Sequence, residues 1–327
     1  MPALNQAQLD QFHSEGYTVV EGLLDEEHDI KPLMDEYDTL LERLATRWHA
    51  ENRLASSYRE LPFGQRLIQV LREVGESSIQ YLEITLPFRG LRADTPIHLG
   101  PAVFNLMRSP RILDAVESLI GSEIYCHPAH HCRIKLPVES LSEGISDLTG
   151  TVMCHQDQSG TLPEADQSNI ITAWLAITDA TEDNGCLIIS PGSHVAGLRP
   201  HIVKIRRGKH AGTAVADEAL KEENLIPLPV KRGSVIFFTA QTIHGSLPNE
   251  TEDEIRWSLD LRYLPVGLPT GRPLYPGFVA RSRKQPQTEL RDHRAWAETW
   301  LRARAEVSAG EPPEFFRYKD QDVLATD

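Results

Sequence analysis

The sequence predicts a mainly β protein, an antiparallel sandwich or jelly roll, with helices flanking it. Three observations predict this class. Up to Gly121 the apolar residues recur at helical spacing. Beyond Gly121, short runs rich in Ile, Val, Phe, Thr and Trp alternate with Gly, Pro, Asn and Asp turns. No long helices separate those runs, as they would in a doubly wound parallel sheet.

Taken in order, Leu9, Phe12 and His13 sit at helical spacing and Gly16 stops them. Tyr17 to Val20 is a short β-branched strand. From about Asp25 to Glu51, Leu33, Met34, Tyr37, Leu40, Leu41, Leu44 and Trp48 recur every three or four residues, an amphipathic helix. Pro62 and Gly64 break the pattern, and Leu67 to Val74 resumes it. Pro110 opens a helix over Arg111 to Ile120 that Gly121 closes. The predicted strands are Glu123–Cys126, Cys132–Leu136, Thr151–Asp157, Ile170–Thr178, Cys186–Ser190, Ser234–Thr239 and Arg256–Leu264. A polar insert at 199–232 is expected to be largely irregular, with a helix at Asp217–Glu223. His293 to Val307 is helical, with Trp296 and Trp300 four apart. The simplest plan is one domain over 1–327. It has a mostly helical flank at 1–121, a β core at 122–265 carrying the insert, and a tail with a helix at 266–327.

The 327 residues are 40% hydrophobic and 24% charged, enough apolar content for a sizeable core. The net charge of −14 argues against nucleic acid and against anionic membrane as partners. The first residues lack a basic start and an apolar stretch, so neither an export signal nor a membrane span is expected. Cys126, Cys132, Cys154 and Cys186 are then expected as reduced thiols in a cytoplasmic compartment.

Three constellations could carry chemistry. In His155-Gln156-Asp157, strand geometry would put the first and third side chains on one face, Cα atoms about 6.6 Å apart. Alone, a His-x-Asp recurs by chance. Thr242-Ile-His244-Gly-Ser246 follows an apolar strand, where a sheet mouth would lie. Together the two supply two imidazoles and one carboxylate, the facial set of non-haem Fe(II) oxygenases. In the third, Arg256, Ser258, Asp260 and Arg262 share one face of a strand, and Trp257, Leu259 and Leu261 the other. The apolar face should pack on helices and the arginine face should look into the barrel, where buried guanidiniums need anionic partners. Arg262 could alternatively pair with Asp260 or Glu254 at a rim.

These motifs resemble the phytanoyl-CoA dioxygenase family of iron(II)- and 2-oxoglutarate-dependent oxygenases. Four stretches carry the likeness: Phe12-His-Ser-Glu-Gly-Tyr17; His155-Gln-Asp157; Ala173-Trp174-Leu175 through Asp183-Asn-Gly-Cys-Leu187 to Ser190-Pro-Gly-Ser-His194; and His244-Gly-Ser246 followed by Arg256. The resemblance implies a double-stranded β-helix, or cupin-like jelly roll. It implies His155, Asp157 and His244 as iron ligands and Arg256 as the grip on the distal carboxylate of 2-oxoglutarate. Trp174, Ser246 and Lys135 fall where similar proteins line the 2-oxoglutarate pocket. Related halogenases replace the carboxylate ligand by a small residue, whereas this chain keeps Asp157.

Cys126-His127-Pro-Ala-His130-His131-Cys132 offers a rival zinc cluster, but its spacing is too tight for two separated ligand pairs. His131 and Arg133 instead project beside Lys135 toward the barrel and, with Arg262, are candidate substrate contacts; ordinary polarity at a sheet edge is the alternative. Ser190 to His194 reads as a turn, and Cys154 as packed core. Arg199, Lys204, Arg206, Arg207 and Lys209 form a basic stretch in the insert. It is either a solvated loop balancing Asp217, Glu222 and Glu223 or a lid that favours an anionic substrate.

The expected activity is hydroxylation of an unactivated C–H bond in a small molecule, with Fe(II) as cofactor and 2-oxoglutarate and dioxygen as cosubstrates, as the resemblance implies. The expected assembly is a monomer or homodimer. The alternative is a non-catalytic metal-binding jelly roll that senses or binds.

Overall fold

The computed structural model describes residues 4–87, 90–140, 150–206, 209–310 and 317–318. Helix α1 (Gln6–Glu15) opens on a reciprocal cap: the Asn5 side chain accepts from the Gln8 amide and the Gln8 side chain from the Asn5 amide. It stops at Gly16, where φ is +79° and an added Cβ would strike the His194 ring and the Thr242 hydroxyl. Strand β1 (Tyr17–Val20) follows. A π-helical turn, Glu26–Ile30, capped by Asp25, then leads into α2 (Lys31–Ala50), so the α-helix starts later than the expected boundary near Asp25. Helix α3 (Phe63–Val74) takes Gly64 into its first turn instead of breaking there. Helices α4 (Pro101–Met107) and α5 (Pro110–Ile120) each carry proline at the first position.

The β core then runs through β2 (Glu123–Cys126), β3 (His131–Lys135), β4 (Ile171–Ala176) and β5 (Leu187–Ile189). The insert is not irregular. It forms a hairpin of β6 (His201–Arg206) and β7 (Lys209–Val215), followed by a single-turn α6 (Asp217–Leu220). Ile202 lies opposite Ala214, and these two with the neighbouring Val203 and Val215 are buried, a short apolar signal that the surrounding charges hide. Then come β8 (Ile226–Leu228), β9 (Val235–Thr239), β10 (His244–Ser246), β11 (Arg256–Pro265) and β12 (Phe278–Ser282), and last α7 (His293–Ala309).

Besides the β6–β7 hairpin, the described strands form two antiparallel sheets. The larger has the order β1-β9-β4-β11-β2-β12, with β3 also paired to β11; the smaller is β10-β5-β8. The alternation of β11 decides how they are used. Trp257, Leu259 and Leu261 enter the main core with Leu33, Tyr37, Leu41 and the other helical residues. Trp257 lies between Tyr37, 4.9 Å away, and Phe63, stacked at 5.2 Å. Such pairs contribute about 0.5–1.5 kcal/mol each beyond area burial. The helices therefore back the large sheet, and its other face, carrying Arg256, Ser258, Asp260 and Arg262, turns toward the small sheet. Among the described residues, no helix is long and apolar enough to cross a membrane.

Candidate metal centre

His155 and His244 face each other across an isolated antiparallel bridge. Each backbone amide donates to the other's carbonyl, at 2.8 and 3.0 Å. His244 lies at the start of β10, next to Gly245, where a Cβ would press on the Val152 carbonyl and Cys154 at 3.0–3.1 Å. The bridge thus depends on a small neighbour.

Thr151–Asp157 is not the continuous strand that its composition suggests. Only His155 forms a bridge, and Asp157 opens a one-turn 3-10 helix, Asp157–Gly160. Strand alternation therefore does not align the two side chains. Gln156 does so by locking the residue between them. It is fully buried, its side chain donates to the Gly197 and Gln241 carbonyls, and it accepts from the Arg199 amide. Asp157 is meanwhile drawn to the large sheet. Arg262 donates from Nε to Oδ2 at 2.9 Å and from Nη2 to Oδ1 at 2.6 Å, and Thr172 Oγ1 donates to Oδ2 at 2.5 Å.

One ligand-capable atom from each of His155, Asp157 and His244 lies within 4.8 Å of the others. Asp157 Oδ1 is 3.6 Å from His155 Nε2 and 3.9 Å from His244 Nε2. The outer nitrogens are tethered: His155 Nδ1 to the Met153 carbonyl at 2.8 Å and His244 Nδ1 to the Thr242 carbonyl at 3.1 Å. A carbonyl can only accept, so each Nδ1 carries the proton and each Nε2 lone pair faces the third residue. Burial, with His155 alongside, pulls the His244 imidazolium down to about 4 and keeps the ring neutral. Burial alone would raise the Asp157 carboxyl, yet Arg262, with the two histidines, holds it well below the usual carboxylate range. Two imidazoles with their Nε2 atoms turned inward and an ionised carboxylate fit a non-haem iron.

The other expected site residues separate into two groups. Arg256 is buried, with Nε donating to the Gly185 carbonyl at 3.1 Å, Nη1 to Ser258 Oγ at 2.6 Å, and its guanidinium 5.3 Å from the Trp174 ring centroid. Opposite it on β3, Lys135 donates to Ser246 Oγ at 2.6 Å and to the Leu247 carbonyl. Burial, with Arg256 and Arg133 nearby, pulls the Lys135 ammonium down to about 6. Arg256, Trp174, Ser246 and Lys135 therefore form one cluster.

His131 and Arg133 line a cavity of about 130 Å³ together with His155, Asp157, Arg262 and Arg272. Arg133 donates to Asp260 at 2.6 Å, and His131 Nδ1 lies 3.4 Å from Glu83. Arg262 reaches the same cavity, but its partner is Asp157 rather than Asp260 or Glu254, and its Nη1 donates to the Ala129 carbonyl at 2.8 Å. The Cys126–Cys132 run holds no cluster. Both cysteines enter the core, His127 accepts from the Ala129 amide and bonds the Thr270 carbonyl, and His130 lies edge-on to Trp300. Cys154 packs with Val215 and Ile243. Of the insert, Thr213 lines the cavity and bonds Ser159 at 3.1 Å, and Arg199 pairs with Glu223 at 2.9 Å. The side chains of Lys204, Arg206, Arg207 and Lys209 lie outside those described.

Three contributors escape a reading of the sequence. Thr172 was legible in principle, because it precedes Trp174 by two and so shares its face. Glu83, flanked by Leu82 and Ile84, is an acid inside an apolar run. Arg272 sits in a loop and carries no periodic signal.

A sheet pair whose mouth gathers two imidazoles and a carboxylate is the arrangement of the non-haem iron oxygenase class. The comparisons are narrower. The chain belongs to the phytanoyl-CoA dioxygenase family, whose model, "Phytanoyl-CoA dioxygenase (PhyH)", matches residues 12–257. It is similar to a phytanoyl-CoA dioxygenase domain-containing protein 1 of Bos taurus, 24% identical over 258 residues that cover 76% of this chain and 86% of the relative. It also resembles 1-deoxypentalenic acid 11-beta-hydroxylase of Streptomyces exfoliatus, 29% identical over 167 residues, half of this chain and 56% of that one. Among solved structures, the nickel complex of the non-heme monooxygenase ThoJ shares the fold, with TM-score 0.54, 19% identity, and coverage of 91% of this chain and 98% of its own.

Proposed function

We propose that this protein, as a single dioxygenase domain, hydroxylates an unactivated C–H bond of a small molecule, releasing succinate and CO2 from 2-oxoglutarate. The observation that carries the reading is the convergence of His155 Nε2, His244 Nε2 and Asp157 Oδ1. These three would hold the iron, which with 2-oxoglutarate and dioxygen supplies the oxidising chemistry.

The side chains then divide the remaining work. Arg256 presents a planar fork that matches a carboxylate in two-point fashion. Its described partners are a carbonyl, a hydroxyl and an aromatic face, all neutral. Lys135 adds a second buried nitrogen beside it, an amine whose proton an incoming anion would favour. Both side chains would gain from an incoming dianion, so this cluster suits the distal carboxylate of 2-oxoglutarate, with Trp174 and Ser246 as its walls. His131 and Arg133, on the cavity side, would orient the substrate. Burial holds the His131 ring neutral, so it can donate or accept a hydrogen bond there.

A non-catalytic metal-binding role would still use Asp157 but would leave Arg256, with its supporting contacts, without selective use. The test is succinate release from 2-oxoglutarate across a metabolite panel. The expected result is Fe(II)-dependent succinate above the uncoupled background with at least one small molecule. Metal binding without any 2-oxoglutarate turnover, coupled or uncoupled, would leave the binding-module reading in its place.

A further inference from the structure

Arg262 and Thr172 are directly opposite each other in the pairing of β11 with β4. Both side chains leave that pair on the same face and end on the same carboxylate. Asp157 does not belong to this sheet; it follows a bridge to β10 in the smaller one. The cross-strand pair therefore reaches across and ties the metal-site carboxylate to the large sheet. Arg262 is itself fixed from two sides, its Nη1 on the Ala129 carbonyl and its own carbonyl on the His127 amide at 2.9 Å.

The bonds on the two oxygens differ. Oδ2 accepts from Thr172 Oγ1 and Arg262 Nε, which fills its in-plane lone pairs. Oδ1 accepts only from Arg262 Nη2 among these donors, and it is the oxygen that faces both histidine Nε2 atoms. We propose that Arg262 and Thr172 act as one clamp, which holds Oδ2 back and leaves Oδ1 as the single donor of Asp157 to the metal. A one-point carboxylate keeps one more coordination position open than a two-point one. Arg262 is on this view a positioning residue for the metal ligand rather than a substrate contact. The inference rests on the iron reading.

Charge and geometry oppose each other here, and that makes the clamp testable. Removing a cation next to the site would by itself favour an incoming metal ion. Losing the fork would free the carboxylate and weaken binding; outer partners of metal ligands are typically worth 10–100-fold in affinity. Arg262→Lys keeps the charge and loses the fork. The experiment is calorimetric titration of the full chain with Mn(II), paired with the visible spectrum of the Co(II) form, which reports coordination number. Expected are Mn(II) binding about 10–100-fold weaker in Arg262→Lys and an altered Co(II) spectrum. Thr172→Val should weaken Mn(II) roughly tenfold, the loss of one hydrogen bond to a charged group, and Thr172→Ser, which keeps the hydroxyl, should restore it. Wild-type Mn(II) affinity and Co(II) spectrum in Arg262→Lys overturn the clamp, and so does tighter binding. Should that variant fail to fold, Thr172→Val decides by the same criteria. A wild-type chain that binds no Mn(II) would instead overturn the underlying iron reading.

Discussion

The two arginines on the inner face of β11 stand six residues apart on one strand, yet their surroundings are opposite. Arg262 ends on a carboxylate of its own chain, with two bonds to Asp157. Arg256 ends on a carbonyl, a hydroxyl and an indole face, with the buried amine of Lys135 across the strand pair. A buried guanidinium without an ionic partner is costly, and burial pulls Arg256 down to about 10. On the proposed assignment the same residue type on the same face would be used twice, once to complete the metal centre from inside and once to receive an anion from outside. Asp260 lies between them on that face and pairs directly with Arg133.

The contrast breaks most completely at the carboxylate itself. Asp157→Ala removes the anionic donor and leaves Arg262 buried beside Thr172 with nothing to neutralise it. Mn(II) binding and succinate formation should both fall below detection while the circular-dichroism spectrum stays that of a folded chain. Measurable turnover in that variant would remove the iron triad from the site.

At the other end, Arg256→Lys should weaken 2-oxoglutarate and spare the metal. Losing one partner of a buried charge pair costs about 2–5 kcal/mol, so the apparent Kd for 2-oxoglutarate should rise roughly 30-fold or more. Substrate KM should move far less. A selective rise in substrate KM would reassign Arg256 to the substrate side.

The smallest expected effect lies beside the centre of the face, behind His131. Burial pushes the Glu83 carboxyl up to about 8, against two backbone amides, Ile84 and Cys132, that donate to it. A carboxyl whose folded value is raised contributes stability that is full below its unfolded value and lost as pH rises through about 8. Glu83→Gln keeps the acceptor for both amides and removes the titration. The variant's Tm should therefore gain on wild type by a few degrees between pH 5 and pH 8.5. A Tm difference that does not change with pH would mean that Glu83 is ionised in the fold.

Much of this was legible in the residues. Strict alternation from Arg256 to Arg262 gave the correct faces of β11, because a strand backed by helices on one side has little freedom to do otherwise. The His155, Asp157 and His244 set was legible as a motif, though for a reason that the spacing did not contain. Their convergence comes from a two-residue bridge, a buried Gln156 and a clamp from another sheet, not from one regular strand. The role of Arg262 was hidden for the same cause: its partner is 105 residues away in the chain, and only folding brings them together. The hairpin at 201–215 was masked by its charge, since its apolar positions are few and flanked by lysines and arginines. Helix α4 is seven residues long, too short to express a period.

The division of labour between the two arginines is tested most directly by anaerobic Fe(II) titration, following the visible charge-transfer band that 2-oxoglutarate produces on iron. Wild type should develop the band only when both are present. Arg256→Lys should need roughly 30-fold more 2-oxoglutarate or beyond to reach it, with iron affinity unchanged. Arg262→Lys should need more iron and then reach it at the wild-type 2-oxoglutarate concentration. The reverse pattern, with Arg262→Lys demanding 2-oxoglutarate and Arg256→Lys titrating as wild type, would contradict the assignment of the two ends.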